Sequence, residues 1–341
     1  MKIGLGERGK EKIMGRKIII DTDTGSDDAV ALIMCLSEPS VEVLALTTVS
    51  GNVPVEQATL NCLMSAEIAV GKENVPPVYI GADRPLMRSR VHARNVHGND
   101  GMSDCGLIHP SVKPVEGVCA CDAIIDLVKR YPDEIEIAVI GPVTNLALAM
   151  MKDPETMKRL KCIWTMGTCG FGRGNTTPVS EFNVYADAEA YRVMMDFGVH
   201  VYVGGYDLCT SEAAWFDEDT DRLMAAGTGA ARYAVMCNEA LARFCLAIGG
   251  QRRIDLPDAV SLSPMLWSDV IVKAVPCVSH VCTEYNETYG QVIFYDGGML
   301  AGMGPGFDAG YYGKKEPNCT VIREIDNGLY KKRLAELLTM R

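Results

Sequence analysis

The sequence predicts a single α/β domain with a mostly parallel central sheet and helices on both faces, and three observations predict it. From Lys17 onward, short apolar runs alternate with longer stretches of helical spacing. The runs are near-continuously apolar, as expected of strands buried on both faces. No Ser/Gly-rich or Pro-rich linker, repeat or low-complexity tract divides the 341 residues.

Element by element, strands are expected at residues 18–20, 43–48, 78–80, 135–140, 162–166 and 199–203. Helical spacing follows at 27–37, 55–70, 122–131, 144–151, 186–197 and 229–248. The stretch 81–117 has little apolar periodicity and holds His92, His97 and His109, three of the five histidines, so it reads as a long loop that is either functional or mobile. Strand-rich segments at 269–282 and 291–295 read as a late addition to the sheet, before a C-terminal helix near 327–340. Residues 1–16, polar and mixed in charge, are expected to form a flexible extension, and 17–341 the folded domain.

With 33 basic against 44 acidic residues the net charge is −11, and no basic patch stands out. A nucleic-acid polymer and an anionic membrane are therefore poor partners, whereas a neutral small molecule is not excluded. The thirteen cysteines are odd in number, scattered and mostly set in apolar runs, which predicts reduced structural thiols. Cys119 and Cys121 form a C-x-C, but no pair of C-x-x-C motifs has zinc spacing. No N-terminal h-region and no run of 18 apolar residues occurs, and a soluble cytoplasmic protein is the expectation.

The most informative segment is Ile18-Ile19-Ile20-Asp21-Thr22-Asp23-Thr24-Gly25-Ser26-Asp27-Asp28-Ala29, a buried strand running into a turn with four carboxylates in eight residues. Ligands of open α/β sheets bind beyond the carboxyl ends of strands, so these acids stand in the expected crevice. Gly25 permits the turn, and Asp27 and Asp28 fall in the first helical turn, where free N–H groups and the dipole favour anions. Four desolvated carboxylates repel one another, and a hard divalent cation neutralises them. An all-oxygen donor set points to calcium or magnesium rather than zinc.

The run Asp21-Thr22-Asp23-Thr24-Gly25-Ser26-Asp27-Asp28-Ala29 resembles the N-terminal motif D-x-D-P-G-x-D-D-A of the inosine-uridine nucleoside hydrolase family, with Thr24 in place of the proline. Thr48-Val49-Ser50-Gly51-Asn52, His97-Gly98-Asn99-Asp100-Gly101, Gly141-Pro142-Val143-Thr144-Asn145-Leu146 and the segment 174–183 are similar to further family elements in the same order. The resemblance spans about residues 17 to 300 and implies a Rossmann-like nucleoside hydrolase fold, a calcium cofactor, a small-molecule nucleoside substrate and a homodimer or homotetramer.

Residue by residue, the resemblance implies that Asp23 is both a calcium ligand and the general base that takes a proton from metal-bound water. Asp28, the backbone carbonyl of Thr144, and Asp258 would complete the metal set. Asp27 and Asn183 would hold ribose hydroxyls, Asn175 and Glu181 the 5′-hydroxyl end, Asn52 the ribose or the water, Met166 the sugar ring, and His97 the vicinity of the base. The chemistry agrees: N-riboside hydrolysis passes through an oxocarbenium-like state that anionic and carbonyl oxygens stabilise, and each sugar hydroxyl needs matched partners once water is excluded.

One position departs. Pro257 stands immediately before Asp258, where the best-known branch carries a histidine that activates the leaving base and other branches carry tryptophan or cysteine. Proline has no proton to give, which leaves His97, His92, Tyr233, Arg252 and Arg253 as substitutes, and Trp267 as a core residue. Two rival functions follow. One is a nucleoside- or ribose-binding protein without efficient chemistry. The other is a magnesium-dependent phosphohydrolase in which Asp21 attacks phosphorus and Asp23 protonates the leaving group.

Overall fold

The structure is a computed structural model, and it describes residues 15–209, 212–296 and 316–340. Nine strands form one sheet: β1 (Arg16–Thr22), β2 (Val41–Thr48), β3 (Val78–Ile80), β4 (Glu136–Val139), β5 (Cys162–Met166), β6 (Val201–Gly204), β7 (Ile271–Val281), β8 (Val292–Tyr295) and β9 (Cys319–Ile325). Their order is β3-β2-β1-β4-β5-β6-β9-β7-β8. Pairing is parallel from β3 through β9, and antiparallel where β7 meets β9 and β8.

The helices are α1 (Ser26–Ser37), α2 (Val55–Val70), α3 (Arg94–His97), α4 (Ala120–Arg130), α5 (Thr144–Lys152), α6 (Pro154–Met157), α7 (Phe182–Ala186), α8 (Ala188–Asp196), α9 (Tyr206–Cys209), α10 (Asp217–Ala226), α11 (Gly229–Met236), α12 (Glu239–Gly249), α13 (Pro257–Leu266) and α14 (Asn327–Thr339).

The side-chain alternation of β1 divides the core in two. Ile18 and Ile20 pack with α1, α2, α11, α13 and α14 on one face, while Ile19 packs with α4, α5 and α8 on the other. All three isoleucines are fully buried. The chain runs outward from β1 to β2 and β3 and then returns to β4 on the other side of β1, so the strand order reverses there. That reversal opens a crevice at the carboxyl ends of β1 and β4, where Asp21 to Asp28 and Gly141 to Thr144 lie.

All six expected parallel strands form, and the late segments join the sheet as β7 and β8. Strand β9, which sits between β6 and β7, was not anticipated from its mixed sequence Cys-Thr-Val-Ile-Arg-Glu-Ile. The sheet also takes in Arg16, one residue before the expected domain start, because its guanidinium is held by buried Glu136 across the sheet. Most of the expected extension lies outside the described residues.

The helix expected at 229–248 is two, broken at Cys237 and Asn238. The Asn238 amide donates to the carbonyl of Ser26 at 2.8 Å as well as to Ala234 at 2.9 Å, so a tertiary bond to the start of α1 takes the place of helical continuity. All thirteen cysteines are free thiols, most of them buried. Among the described residues, no helix is long and apolar enough to cross a membrane.

Candidate active site

The turn after β1 is built around its own acids. Thr22 Oγ1 donates to Asp28 Oδ1 at 2.6 Å, and the Gly25 amide donates to Asp28 Oδ2 at 2.8 Å. The Asn52 side-chain amide reaches the same Oδ2 at 3.1 Å, tying the loop after β2 to α1. Asp28 is therefore oriented from three sides and fully buried.

Asp23 occupies a slot between two backbones. A Cβ on Gly51 would lie 2.0 Å from its Oδ2, and one on Gly141 would lie 2.8 Å from its Oδ1, so both glycines are needed for the carboxylate to fit. Its Oδ2 accepts the Asn52 amide at 2.6 Å, while its Oδ1 is buried with no hydrogen-bond partner. Asp27 Oδ1 is likewise buried and unpartnered. Asp258, in the first turn of α13, completes the cluster: one oxygen each from Asp27, Asp28 and Asp258 lies within 4.8 Å of the others.

The electrostatics follow from this burial. Loss of water, and then repulsion from Asp28, pushes Asp23 well above the usual carboxylate range. Burial followed by Asp27, Asp28 and Asp23 does the same to Asp258, and burial with Asp27 lifts Asp28 to about 7. Among the described residues, the only basic side chain within ion-pair distance of these four acids is His97, with Nδ1 3.7 Å from Asp27 Oδ1. Burial lowers the pKa of that imidazole and keeps it neutral, and its Nδ1 is also 2.9 Å from Ser26 Oγ. Among the described residues the cluster thus lacks a compensating positive charge. Unpartnered oxygens on Asp23 and Asp27, hard donors and convergence suit a divalent cation with oxygen ligands.

The acids open onto a cavity of about 350 Å³. Of the sequence-chosen residues, Asp27, Asn52, His97, Met166, Asn175, Glu181, Asn183 and Asp258 line it, whereas Asp23, Asp28 and Thr144 are not on its wall. Thr144 heads α5, and its hydroxyl donates to Asp187 Oδ2 at 2.7 Å. Asn183 spans the ends of two strands, donating to the carbonyls of Ile140 at 3.1 Å and Met166 at 3.3 Å. Glu181 caps α7, accepting the amides of Asn183 and Val184 and, from the loop after β5, Thr168 at 3.2 Å. Burial outweighs those bonds and lifts its carboxyl to about 7. Asn175 Oδ1 accepts the Phe182 amide at 2.9 Å, which closes the 174–183 loop over the site.

The substitutes for the missing histidine separate by position. His92 and His97 line the cavity, with His92 Nδ1 2.8 Å from the Gly51 carbonyl. Tyr233 is in the core, 3.3 Å from Ser65 Oγ and away from the cavity wall. Arg252 is paired with Asp217 and Glu239, and Arg253 with Asp255. Trp267 packs on the core as expected and donates to Glu38 at 2.8 Å. Asp21 is fully buried, accepts from Thr47 at 2.5 Å and Asn145 at 2.8 Å, and does not reach the cavity, which removes the nucleophile that a phosphohydrolase requires.

Sequence reasoning missed Tyr206, Phe244, Ile248 and Asp255, which also line the cavity. A signal existed for two of them: Phe244 and Ile248 lie four apart on α12 and share one face, where Ile248 remains 63% exposed, unusual for an isoleucine without a ligand to cover.

A family model described as inosine-uridine preferring nucleoside hydrolase matches residues 18–332. The chain is 40% identical to uridine nucleosidase 1 of Arabidopsis thaliana over 195 residues, 57% of each chain. It is 36% identical to pyrimidine-specific ribonucleoside hydrolase RihB of Escherichia coli (strain SE11) over 193 residues, 57% of this chain and 60% of that relative. The matched stretch therefore spans less than two thirds of either relative's length. Among solved structures, the plant nucleoside hydrolase PpNRh1 superposes with a TM-score of 0.85 at 28% identity, covering 96% of this chain and 99% of that one. On the family match over nearly its whole length, together with this likeness of fold, the chain belongs to the inosine-uridine preferring nucleoside hydrolase family.

Proposed function

We propose that the protein hydrolyses the N-glycosidic bond of ribonucleosides to free base and ribose, with calcium held by Asp23, Asp28, Asp258 and the Thr144 carbonyl. The observation that carries this reading is the buried, uncompensated carboxylate cluster at the floor of a cavity whose walls hold Asn52, Asn175, Glu181 and Asn183. A divalent cation held by these residues would supply Lewis-acid chemistry, making water more acidic and stabilising negative charge beside the sugar.

The chain's own groups then divide the labour. Asp23 takes the proton of the attacking water, and its buried, unpartnered Oδ1 is the oxygen left available for that role. Asp27 and Asn183 receive ribose hydroxyls, Asn175 and Glu181 the 5′-hydroxyl, and Met166 packs against the ring. Asn52 holds Asp23 and Asp28 together while facing the sugar. The anionic floor stabilises the positive charge that the ribose acquires as the bond to the base stretches. His97 stays neutral beside Asp27 and can pass a hydrogen bond toward substrate.

Buried reduced thiols support a cytoplasmic setting, and we extend the reading to a homodimer or homotetramer, which sedimentation would check. The enzymatic test is a panel of purine and pyrimidine nucleosides with and without a calcium chelator, following free ribose alongside phosphate release from a generic ester. Calcium-dependent ribose release is expected. Tight nucleoside binding without turnover would overturn the hydrolase reading in favour of a binder, and phosphate release would overturn it in favour of a phosphohydrolase.

A further inference from the structure

Hydrolysis leaves one demand unmet: when the C1′–N bond breaks, its electron pair goes to the base, and a donor must meet that charge. Position 257 cannot supply it, because Pro257, at the start of α13 and on the cavity wall, has neither a side-chain proton nor a backbone N–H. We infer that the hydroxyl of Tyr206 is the hydrogen-bond donor that stabilises the departing base. This assignment rests on the hydrolase reading above.

Placement carries the inference. Helix α9 begins with Tyr206 directly beyond β6, and its other end packs on the first turn of α13. Cys209 Sγ donates to the Pro257 carbonyl at 3.4 Å and lies 3.5 Å from Ser261 Oγ. Tyr206 therefore lines the cavity beside the position that proline leaves without a donor. Its backbone is anchored: its amide donates to the Thr168 carbonyl at 2.9 Å, and neighbouring Asp207 accepts the Phe171 amide at 2.9 Å. The ring packs on the core, and among the described residues the hydroxyl has no hydrogen-bond partner.

The rival donors already have partners. His92 is tied to the carbonyl of Gly51, the residue pressed against Asp23, and His97 to Ser26 beside Asp27. Tyr206 lines the cavity together with Asp255 and Cys245, and both are close enough for their charge to be felt at its hydroxyl. Asp255 is buried, held by Arg253 at 2.9 Å and approached by Cys245 Sγ at 3.6 Å. Burial, and then the charge of Asp255, raises the Tyr206 pKa, so the group remains a donor at every working pH. No proton need leave Tyr206. The bond formed is C1′–O, the bond broken is C1′–N, and the proton that Asp23 takes from water balances the one the base finally picks up from solvent.

The test compares Tyr206→Phe with the unsubstituted, calcium-loaded protein on uridine, inosine and p-nitrophenyl riboside, whose leaving group is stable as an anion. The nucleoside kcat is expected to fall by about 10²-fold, with KM changed by less than about threefold and with a much larger loss on nucleosides than on the nitrophenyl substrate. Because all substrates are assayed on one preparation, the ratio is independent of the folded fraction. An unchanged nucleoside kcat, or an equal loss on all three substrates, overturns the assignment while leaving the hydrolase reading intact. Failure of the unsubstituted protein to cleave any of them overturns both.

Discussion

At the scale of the residue, the proposed function depends on carboxylates that the fold holds buried together. Asp23 is the sharpest case: it is buried, flanked by Gly51 and Gly141 with no room for a Cβ on either, and left with one unpartnered oxygen. Removing it relieves a strained charge rather than a support, so Asp23→Ala is expected to keep the circular-dichroism spectrum while lowering turnover by about 10³-fold or more. Activity within a few-fold of normal would take the general-base role away from it. The acids were legible in the sequence because four within eight residues at a strand end have no ordinary structural purpose. Which oxygens converge was not: Asp27 joins Asp28 and Asp258 in the tight group, although its motif position implied a sugar contact alone.

At the scale of the element, short caps position the site. Asp187 caps α8 through the Ala190 amide at 3.1 Å, and it also receives the Leu86 amide at 2.9 Å and the Thr144 hydroxyl at 2.7 Å. One carboxylate thus joins α8, the long 81–117 loop and the head of α5. Replacing it with alanine removes a cap and strands two further donors, a loss of about 2–3 kcal/mol that urea denaturation would read. A loss below about 0.5 kcal/mol would mean that water replaces these bonds. Element boundaries were the least legible feature, since they depend on distant partners: Asn238 ends α11 because the Ser26 carbonyl, 212 positions away, claims its amide. Strand β9 was missed for a related reason, as its pattern becomes meaningful only between β6 and β7.

At the scale of the whole molecule, Glu136 ties the domain together through charge. Burial would raise its carboxyl, but Arg16 and Lys161 outweigh that and hold it at about 2 against an ordinary 4.5, with the Trp164 indole donating at 3.1 Å. A lowered pKa in the folded state stabilises the protein fully above pH 4.5, and this contribution is lost as pH falls toward about 2, because the unfolded chain takes up the proton first. Allowing for the partial exposure of Arg16 and Lys161, the contribution is about 2 kcal/mol. Glu136→Gln should therefore be less stable than the parent at about pH 6, and the gap should narrow by about half or more near pH 3. A gap that is constant with pH would show that the ion pairs do not act through this titration.

Periodicity and a dense motif are local properties that a linear pattern carries, and from them alone the α/β class, the succession of parallel strands along the chain, the acidic turn and the polar part of the cavity wall could be read. Folding was needed to set Asp21 against Thr47 and Asn145 rather than substrate, to put Tyr233 in the core, and to bring Tyr206 and Asp255 into one cavity with the histidines. Those outcomes turn on which side chains meet across the sheet and between α9, α12 and α13, and packing between distant segments leaves no periodic trace in the chain that encodes it.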